Sequence, residues 1–106
     1  MTTIDTRFTG ITLINTFTVS PAKKDELIAV LDEATRSYMR QQPGFVSANI
    51  HESLDGKRVV NYAQWRSKAD FEAMQKNPAS REHMGKAAAL AEHFEPVLYS
   101  VRSVHD

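Results

Sequence analysis

Apolar residues recur along the chain with two different spacings, one typical of strands and one typical of helices. Residues 11–19, 45–53, 59–65 and 97–104 are rich in β-branched and aromatic side chains, which is typical of strands. Asp55-Gly56 separates the second and third of these segments. That dipeptide favours a type I′ hairpin, so these two strands are expected to pair antiparallel.

Helical spacing is clearest after the first strand, where Leu27, Leu31, Ala34 and Tyr38 recur on one face. Ser20-Pro21 predicts the start of this helix, because serine is a good N-cap and proline fits the first helical position. Pro43-Gly44 is expected to end the helical region.

A second helical region follows the third strand and is divided in two. Ser67 with Asp70 three positions later predicts an N-cap and a short helix through about residue 75. After a loop at Asn77-Pro78, a second face is formed by His83, Ala87, Leu90, Ala91 and Phe94. Pro96 is expected to lie beyond the end of that helix.

The resulting order of elements is β-α-β-β-α-β, which predicts an α+β fold of the ferredoxin-like plait type. In this fold a four-stranded antiparallel sheet carries its helices on one face. At 106 residues the chain has room for one hydrophobic core. We therefore expect a single domain over residues 1–106, with its core at about 10–104.

The third and fourth strands carry apolar side chains on both faces, although helices cover only one face of such a sheet. In the third strand, Val59, Ala63 and Trp65 lie on one side and Val60 and Tyr62 on the other. Because a second copy of the same sheet is the simplest cover, we expect a homodimer that closes into an α/β barrel.

Charge and composition exclude several classes of protein. Thirteen Lys and Arg balance thirteen Asp and Glu, which argues against a nucleic-acid partner held by phosphate contacts. Cysteine is absent, which removes thiolate chemistry and cysteine-ligated metals. The histidines lack metal-ligand spacing, and neither a transmembrane stretch nor a signal peptide is apparent. A cytoplasmic protein without a metal site or a membrane partner is expected.

Two asparagines occupy otherwise apolar strand faces, where an unpaired amide costs roughly 1–3 kcal/mol. Asn15 shares a face with Leu13 and Phe17, and Asn61 shares a face with Ala63 and Trp65. If both faces point toward the helices, the two amides and the indole N–H meet in one pocket, which Asn49 is also positioned to join. The alternative is that each amide satisfies a bulge or a strand end, and that Trp65 is a core residue.

The run NYAQWRS at residues 61–67, followed by ADF at residues 69–71, resembles the N-Y-x-x-W-x-S stretch of the antibiotic biosynthesis monooxygenase family. The Pro43-Gly44-Phe45 turn before the second strand is similar to that of the family too. The resemblance covers roughly residues 10 to 100 and implies a dimeric α/β barrel.

In family members that oxidise anthrones and related phenols, residues matching Asn61 and Trp65 line the pocket, and some members have a residue similar to Asn15. The resemblance implies a cofactor-independent monooxygenase that oxidises a small phenolic, quinol or anthrone-like aromatic with dioxygen, using Asn15, Asn61 and Trp65 as catalytic residues. The residues expected to contact the substrate around them are Phe17, Asn49, Phe71, Met74, His83 and Leu90.

The chain departs from some members of the family in its proton-handling groups. Phe71 stands where some of them have a tyrosine, and the counterpart of a basic residue on the third helix is either Arg81 or Lys86. His83 is a candidate acid or base, because histidine changes charge near neutral pH.

Two other functions remain open. One is a binding module that holds a small hydrophobic ligand without turnover. The other is a haem-degrading monooxygenase, since His83 resembles in position the haem-ligating histidine of that branch of the superfamily. The branch's helical tryptophan, however, would fall near Met74 and is absent.

Overall fold

The computed structural model describes all 106 residues and consists of one antiparallel sheet with three α-helices against one face. The strands are β1 (Ile11–Thr18), β2 (Phe45–Glu52), β3 (Arg58–Trp65) and β4 (His93–Tyr99), and the helices are α1 (Lys24–Ser37), α2 (Lys68–Lys76) and α3 (Pro78–Leu90). The strand order β2-β3-β1-β4 is that of the ferredoxin-like plait, so the predicted fold class is confirmed. None of the helices has the length and apolar character needed to cross a membrane.

The core lies between the sheet and the helices in two clusters. One contains Leu13, Ala63, Trp65, Phe71 and Met74, and the other contains Phe17, Val19, Leu27, Val59 and Ala87. Along β1 and β3 the pair Leu13 and Ala63 belongs to the first cluster, and the pair Phe17 and Val59 belongs to the second. The register therefore places the Asn15 and Asn61 pair between the two clusters.

The predicted start of α1 at Ser20-Pro21 is wrong. The N–H of Lys23 donates to the Ser20 carbonyl at 3.0 Å, which closes a turn with Pro21 in its second position, where a fixed φ is favourable. The helix begins at Lys24 with no side-chain cap. The Lys24 ammonium forms an ion pair with Glu52 at the end of β2, at 2.7 Å.

The short second helix follows its prediction closely. The Ser67 hydroxyl accepts a hydrogen bond from the Asp70 N–H, so the predicted N-cap is confirmed. The Asn77 side chain accepts from the Ala79 N–H and caps α3, with Pro78 in its first turn. Both α2 and α3 therefore begin at a residue whose side chain satisfies a backbone N–H that has no partner within the helix.

The fourth strand begins earlier than the sequence predicts. α3 ends at Leu90, and Phe94 lies in β4 opposite Phe17, with ring centroids 6.2 Å apart. Pro96 was expected beyond a helix, but it lies within β4 opposite Asn15. Because β4 is an edge strand, a residue without an N–H is tolerated there.

The hairpin between β2 and β3 differs from the expected type I′ turn. That turn requires positive φ at two successive residues, but Gly56 is the only residue of this hairpin with positive φ. The Gly56 N–H donates to the Ser53 carbonyl, and the Ser53 N–H donates to the Arg58 carbonyl. The predicted antiparallel pairing of β2 with β3 is nevertheless present.

The N-terminal segment covers part of the sheet face opposite the helices. The Asn49 amide donates to the Thr2 hydroxyl at 2.6 Å, and the Gln64 amide donates to the Thr3 carbonyl at 2.8 Å. Gln64 is only 2% exposed as a result. The chain itself therefore provides some of the cover that the apolar pattern requires over β2 and β3.

Gly44 fixes the position of α2 relative to the start of β2. Its φ is 84°, its carbonyl accepts from the Arg66 N–H at 2.8 Å, and a Cβ at this position would collide with the Asp70 side chain. Both the backbone conformation and the close approach of α2 require glycine here.

We expect Gly44→Ala to lower the free energy of unfolding more than Gly56→Ala does. Both glycines have positive φ, where a Cβ costs roughly 1–2 kcal/mol, but a Cβ at Gly56 would meet nothing within 4 Å. Urea denaturation of the two variants measures the difference. Equal losses would contradict a steric role for Asp70.

Candidate active site

A cavity of about 280 Å³ lies between the sheet and the helices, and fifteen of its 23 lining residues are hydrophobic. Its size is close to the lower end of the range for small-molecule sites, about 300 Å³. The polar residues that line it are Asn15, Asn61, Thr35, Gln75, Arg81 and His83. A mostly apolar cavity with a few polar groups is typical of small-molecule sites.

The central polar feature of the cavity is the asparagine pair. Asn15 and Asn61 are opposite one another on β1 and β3, and the Oδ1 atom of each is buried without a hydrogen-bond partner. Nearly all buried polar atoms in proteins have a partner, and a missing one costs roughly 1–3 kcal/mol. Each Oδ1 atom is therefore an unused acceptor, and the Nδ2 group of the same amide is the one able to donate to a ligand in the cavity.

Aromatic side chains form the wall at one end of the cavity. Trp65, which is 2% exposed, packs edge to face against Phe45 at 5.6 Å and against Phe71 at 6.0 Å between ring centroids. Such contacts hold the indole in one orientation. The wall gives a planar ligand a fixed surface to pack against, on the same strand as Asn61.

His83 reaches the cavity from α3 and has its own supporting contacts. Its imidazole lies 4.9 Å from the Tyr38 ring between centroids, tilted by 36°. The Tyr38 hydroxyl accepts a hydrogen bond from Ser80, which is fully buried, at 2.9 Å. The hydrogen bond from Ser80 therefore holds the Tyr38 ring in place, and the His83 imidazole packs against this ring.

Of the two basic residues considered for α3, Arg81 lines the cavity and Lys86 does not. The Arg81 Nε–H donates to the Gln75 carbonyl at 3.2 Å, which directs the side chain toward the end of α2. No group of three or more histidine or acidic side chains is arranged to hold a metal ion.

Seven of the residues predicted for the site line this one cavity. They are Asn15, Phe17, Asn61, Trp65, Phe71, Met74 and His83. The structure thus brings together residues from β1, β3, α2 and α3 that are far apart in sequence.

Asn49 and Leu90 were expected in the pocket, and the structure places both elsewhere. An irregularity of β2 between Phe45 and Ser47 reverses which face the following residues occupy. Asn49 therefore lies on the opposite face, where its amide donates to Thr2 and to the Tyr62 carbonyl. Leu90, at the end of α3, packs against the cluster of Phe17 and Leu27 instead.

The sequence did not single out several residues of the cavity, among them Thr35, Met39, Phe45, Gln75 and Met84. Met39 follows the apolar stripe of α1 and Met84 adjoins His83, so helical spacing predicts that both are buried. Nothing in that spacing distinguishes a cavity wall from a filled core, because the packing of side chains decides whether space remains.

Three comparisons place this chain among known proteins. Residues 10–86 match the sequence profile of the family described as antibiotic biosynthesis monooxygenase. The tetracenomycin-F1 monooxygenase of Streptomyces glaucescens is 53% identical over 72 residues, which is 68% of this chain and 64% of that protein. This chain therefore matches less than two thirds of that relative's length.

Solved structures give the same grouping. A monooxygenase from the gene ActVA-Orf6 of Streptomyces coelicolor, in complex with nanaomycin D, superposes with a TM-score of 0.83 at 30% identity, over 92% of this chain and 91% of that chain. SnoaB from Streptomyces nogalater, a cofactor-independent oxygenase, superposes with a TM-score of 0.74 at 26% identity, over 90% of this chain and 95% of that chain.

The unpartnered amides predict an unusual effect on stability. Asn61→Leu is expected to raise the free energy of unfolding by about 1 kcal/mol, because it removes a buried polar atom that makes no hydrogen bond. Asn49→Leu, the matched control, should lower it by about 2 kcal/mol, because two hydrogen bonds are lost. Denaturation followed by Trp65 fluorescence measures both. A loss of stability in Asn61→Leu equal to that in Asn49→Leu would contradict the assignment.

Proposed function

Because the chain belongs to the antibiotic biosynthesis monooxygenase family, we propose that it is a monooxygenase that oxidises a small phenolic, quinol or anthrone-like aromatic with dioxygen. The observation that carries this proposal is the pair of asparagines that line an apolar cavity and whose Oδ1 atoms have no hydrogen-bond partner within the chain. A relative that acts on tetracenomycin F1 and a cofactor-independent oxygenase of the same fold support it. The reaction is proposed to need neither metal nor flavin.

The amides act on the oxygen atom of the substrate that becomes negatively charged. When an anthrone or phenol loses a proton, its anion is stabilised by N–H donors that are already oriented and shielded from water. The Nδ2 groups of Asn15 and Asn61, which lie opposite one another on two adjacent strands, are proposed to be these donors. The Trp65, Phe45 and Phe71 rings hold the substrate plane and exclude water from the reacting carbon.

The anion itself supplies the electrons for the reaction. Its carbon atom forms a bond with one oxygen of dioxygen, and protonation of the other oxygen gives a hydroperoxide. Loss of water then breaks the O–O bond and leaves a carbonyl group, so one oxygen atom enters the product and the other enters water. Asparagine is not a base near neutral pH, and His83 is the lining residue proposed to take the first proton.

This proposal predicts that Asn61→Ala lowers turnover by about 10²-fold, the usual effect of removing one oriented donor to a developing anion. Trp65→Phe should also lower turnover, because the smaller ring leaves the substrate plane less constrained. The measurement is dioxygen consumption by metal-free protein with a panel of hydroquinones and anthrones. Asn49→Ala is the matched control and should keep its rate, since Asn49 lies on the other face of the sheet.

The outcomes separate this function from its alternatives. Unchanged turnover in both Asn61→Ala and Trp65→Phe would reject the site. Tight binding of the aromatic without dioxygen uptake would favour a binding module. A Soret band on haem titration that is lost in His83→Ala would favour haem degradation.

We also propose that two copies of the chain associate through the sheet face opposite the helices, as expected from the apolar pattern. Outside the part under the N-terminal segment, Ile14, Val60 and Val97 remain partly exposed on this face, and Tyr99 is 47% exposed. A partner sheet would bury these side chains. The cytoplasmic location expected from the sequence stays a prediction.

Light scattering after size exclusion should therefore give twice the chain mass of 11.9 kDa. Val97→Asp should shift the protein toward the monomer, because the new carboxylate would be buried without a partner. Leu54→Asp, at a fully exposed position in the hairpin, should leave the mass unchanged. A monomeric wild-type protein would reject the dimer.

A further inference from the structure

The methionines of this chain are distributed unevenly between the cavity and the surface. Met39, Met74 and Met84 all line the cavity, whereas Met1 is fully exposed. These are all four methionines of the sequence. The three in the cavity come from the turn after α1, from α2 and from α3, and they belong to the same cluster as Trp65.

A thioether accepts one oxygen atom from a hydroperoxide in a balanced step. The O–O bond breaks, a sulfur–oxygen bond forms, sulfur loses two electrons, and the hydroperoxide is reduced to the alcohol. No other reductant is needed. The reaction proposed above passes through an organic hydroperoxide in this cavity, within reach of the side chains that line it.

We propose that Met39, Met74 and Met84 are modification sites whose sulfur atoms accept an oxygen atom from organic hydroperoxides formed or bound in the cavity. Their oxidation consumes the hydroperoxide and so protects the Trp65 indole. The inference rests on the proposed function for the source of the hydroperoxide during turnover. The acceptor site itself follows from the position of the three sulfur atoms and the apolar character of the cavity.

The product of this step changes the cavity. A sulfoxide is polar and an acceptor of hydrogen bonds, whereas the thioether it replaces is apolar. Accumulated sulfoxides would weaken the binding of an apolar aromatic substrate, so activity would decline as hydroperoxide escapes productive breakdown. Methionine sulfoxide reductases reverse this change.

Two oxidants distinguish a cavity reaction from ordinary surface oxidation. Because Met1 is fully exposed and Met74 is only 6% exposed, hydrogen peroxide is expected to oxidise Met1 first. Cumene hydroperoxide, an apolar aromatic, should enter the cavity and reverse this order. Peptide mass mapping follows the gain of one oxygen atom at each methionine, with N-acetylmethionine amide in the same solution as a fully exposed reference.

We expect cumene hydroperoxide to oxidise the three cavity methionines severalfold faster than Met1 and the reference compound. If both oxidants modify Met1 and the reference first, the proposal is overturned. Oxidation by added cumene hydroperoxide does not require turnover of a substrate. Sulfoxides formed with added hydroperoxide but no dioxygen uptake with any substrate would reject the proposed function while supporting the acceptor site.

The protective role has a separate readout, because Trp65 is the only tryptophan in the chain. In a variant with Met39, Met74 and Met84 all replaced by leucine, cumene hydroperoxide should destroy indole fluorescence severalfold faster than in the wild type. Leucine is close to methionine in volume, so the cavity wall is kept. The three single Met→Leu variants serve if the triple variant does not fold. Equal rates of fluorescence loss in the wild type and in every folded variant would contradict the proposed protection of Trp65 by the three methionines.

Discussion

The register between β1 and β3 places two asparagines opposite one another in the middle of the apolar face of the sheet, and the arrangement of the core follows from that pairing. Apolar side chains pack on either side of the pair as two separate clusters. An apolar pair at the same positions would allow these clusters to merge. The unpartnered amides cost roughly 1–3 kcal/mol each, which the burial of the surrounding apolar residues must offset. The core is thus less stable than an apolar one would be, at the point where a substrate would contact the sheet.

The two layers of the fold contribute different kinds of group to the cavity. The sheet supplies the asparagines and Trp65 from its two central strands, β1 and β3, where side chains are held in narrow ranges of position. The helices and the turn after α1 supply the methionines, Phe71 and His83. The Tyr38 and Ser80 contacts support the histidine. The asparagines and Trp65 are therefore placed by the sheet, whereas most of the side chains that shape the rest of the cavity come from the helices.

The periodicity of apolar residues was sufficient to predict the fold class and the common face of Asn15 and Asn61. The Ser67 cap, predicted from its local sequence, and the family resemblance are also confirmed. The failures arose where a local pattern has two physical solutions. Pro96 is compatible with a helix end and with an edge strand, and only the position of β4 in the sheet decides between them. Asn49 changed faces because one irregularity in β2 reverses the alternation. An open cavity cannot be predicted from periodicity at all, because it depends on how the side chains of both layers pack together.

The Gly44 turn also limits how the pocket can diverge among related chains. Because α2 is held directly against Gly44 and starts from the Ser67 cap, this helix cannot shift outward to admit a larger ring system without losing both contacts. Its inward residues Phe71 and Met74 line the cavity, so a smaller side chain at either position enlarges the cavity without a shift of the helix. Relatives with this same turn would therefore acquire new substrate ranges through side-chain exchange at these two positions, and insertions would be confined to segments away from the start of α2.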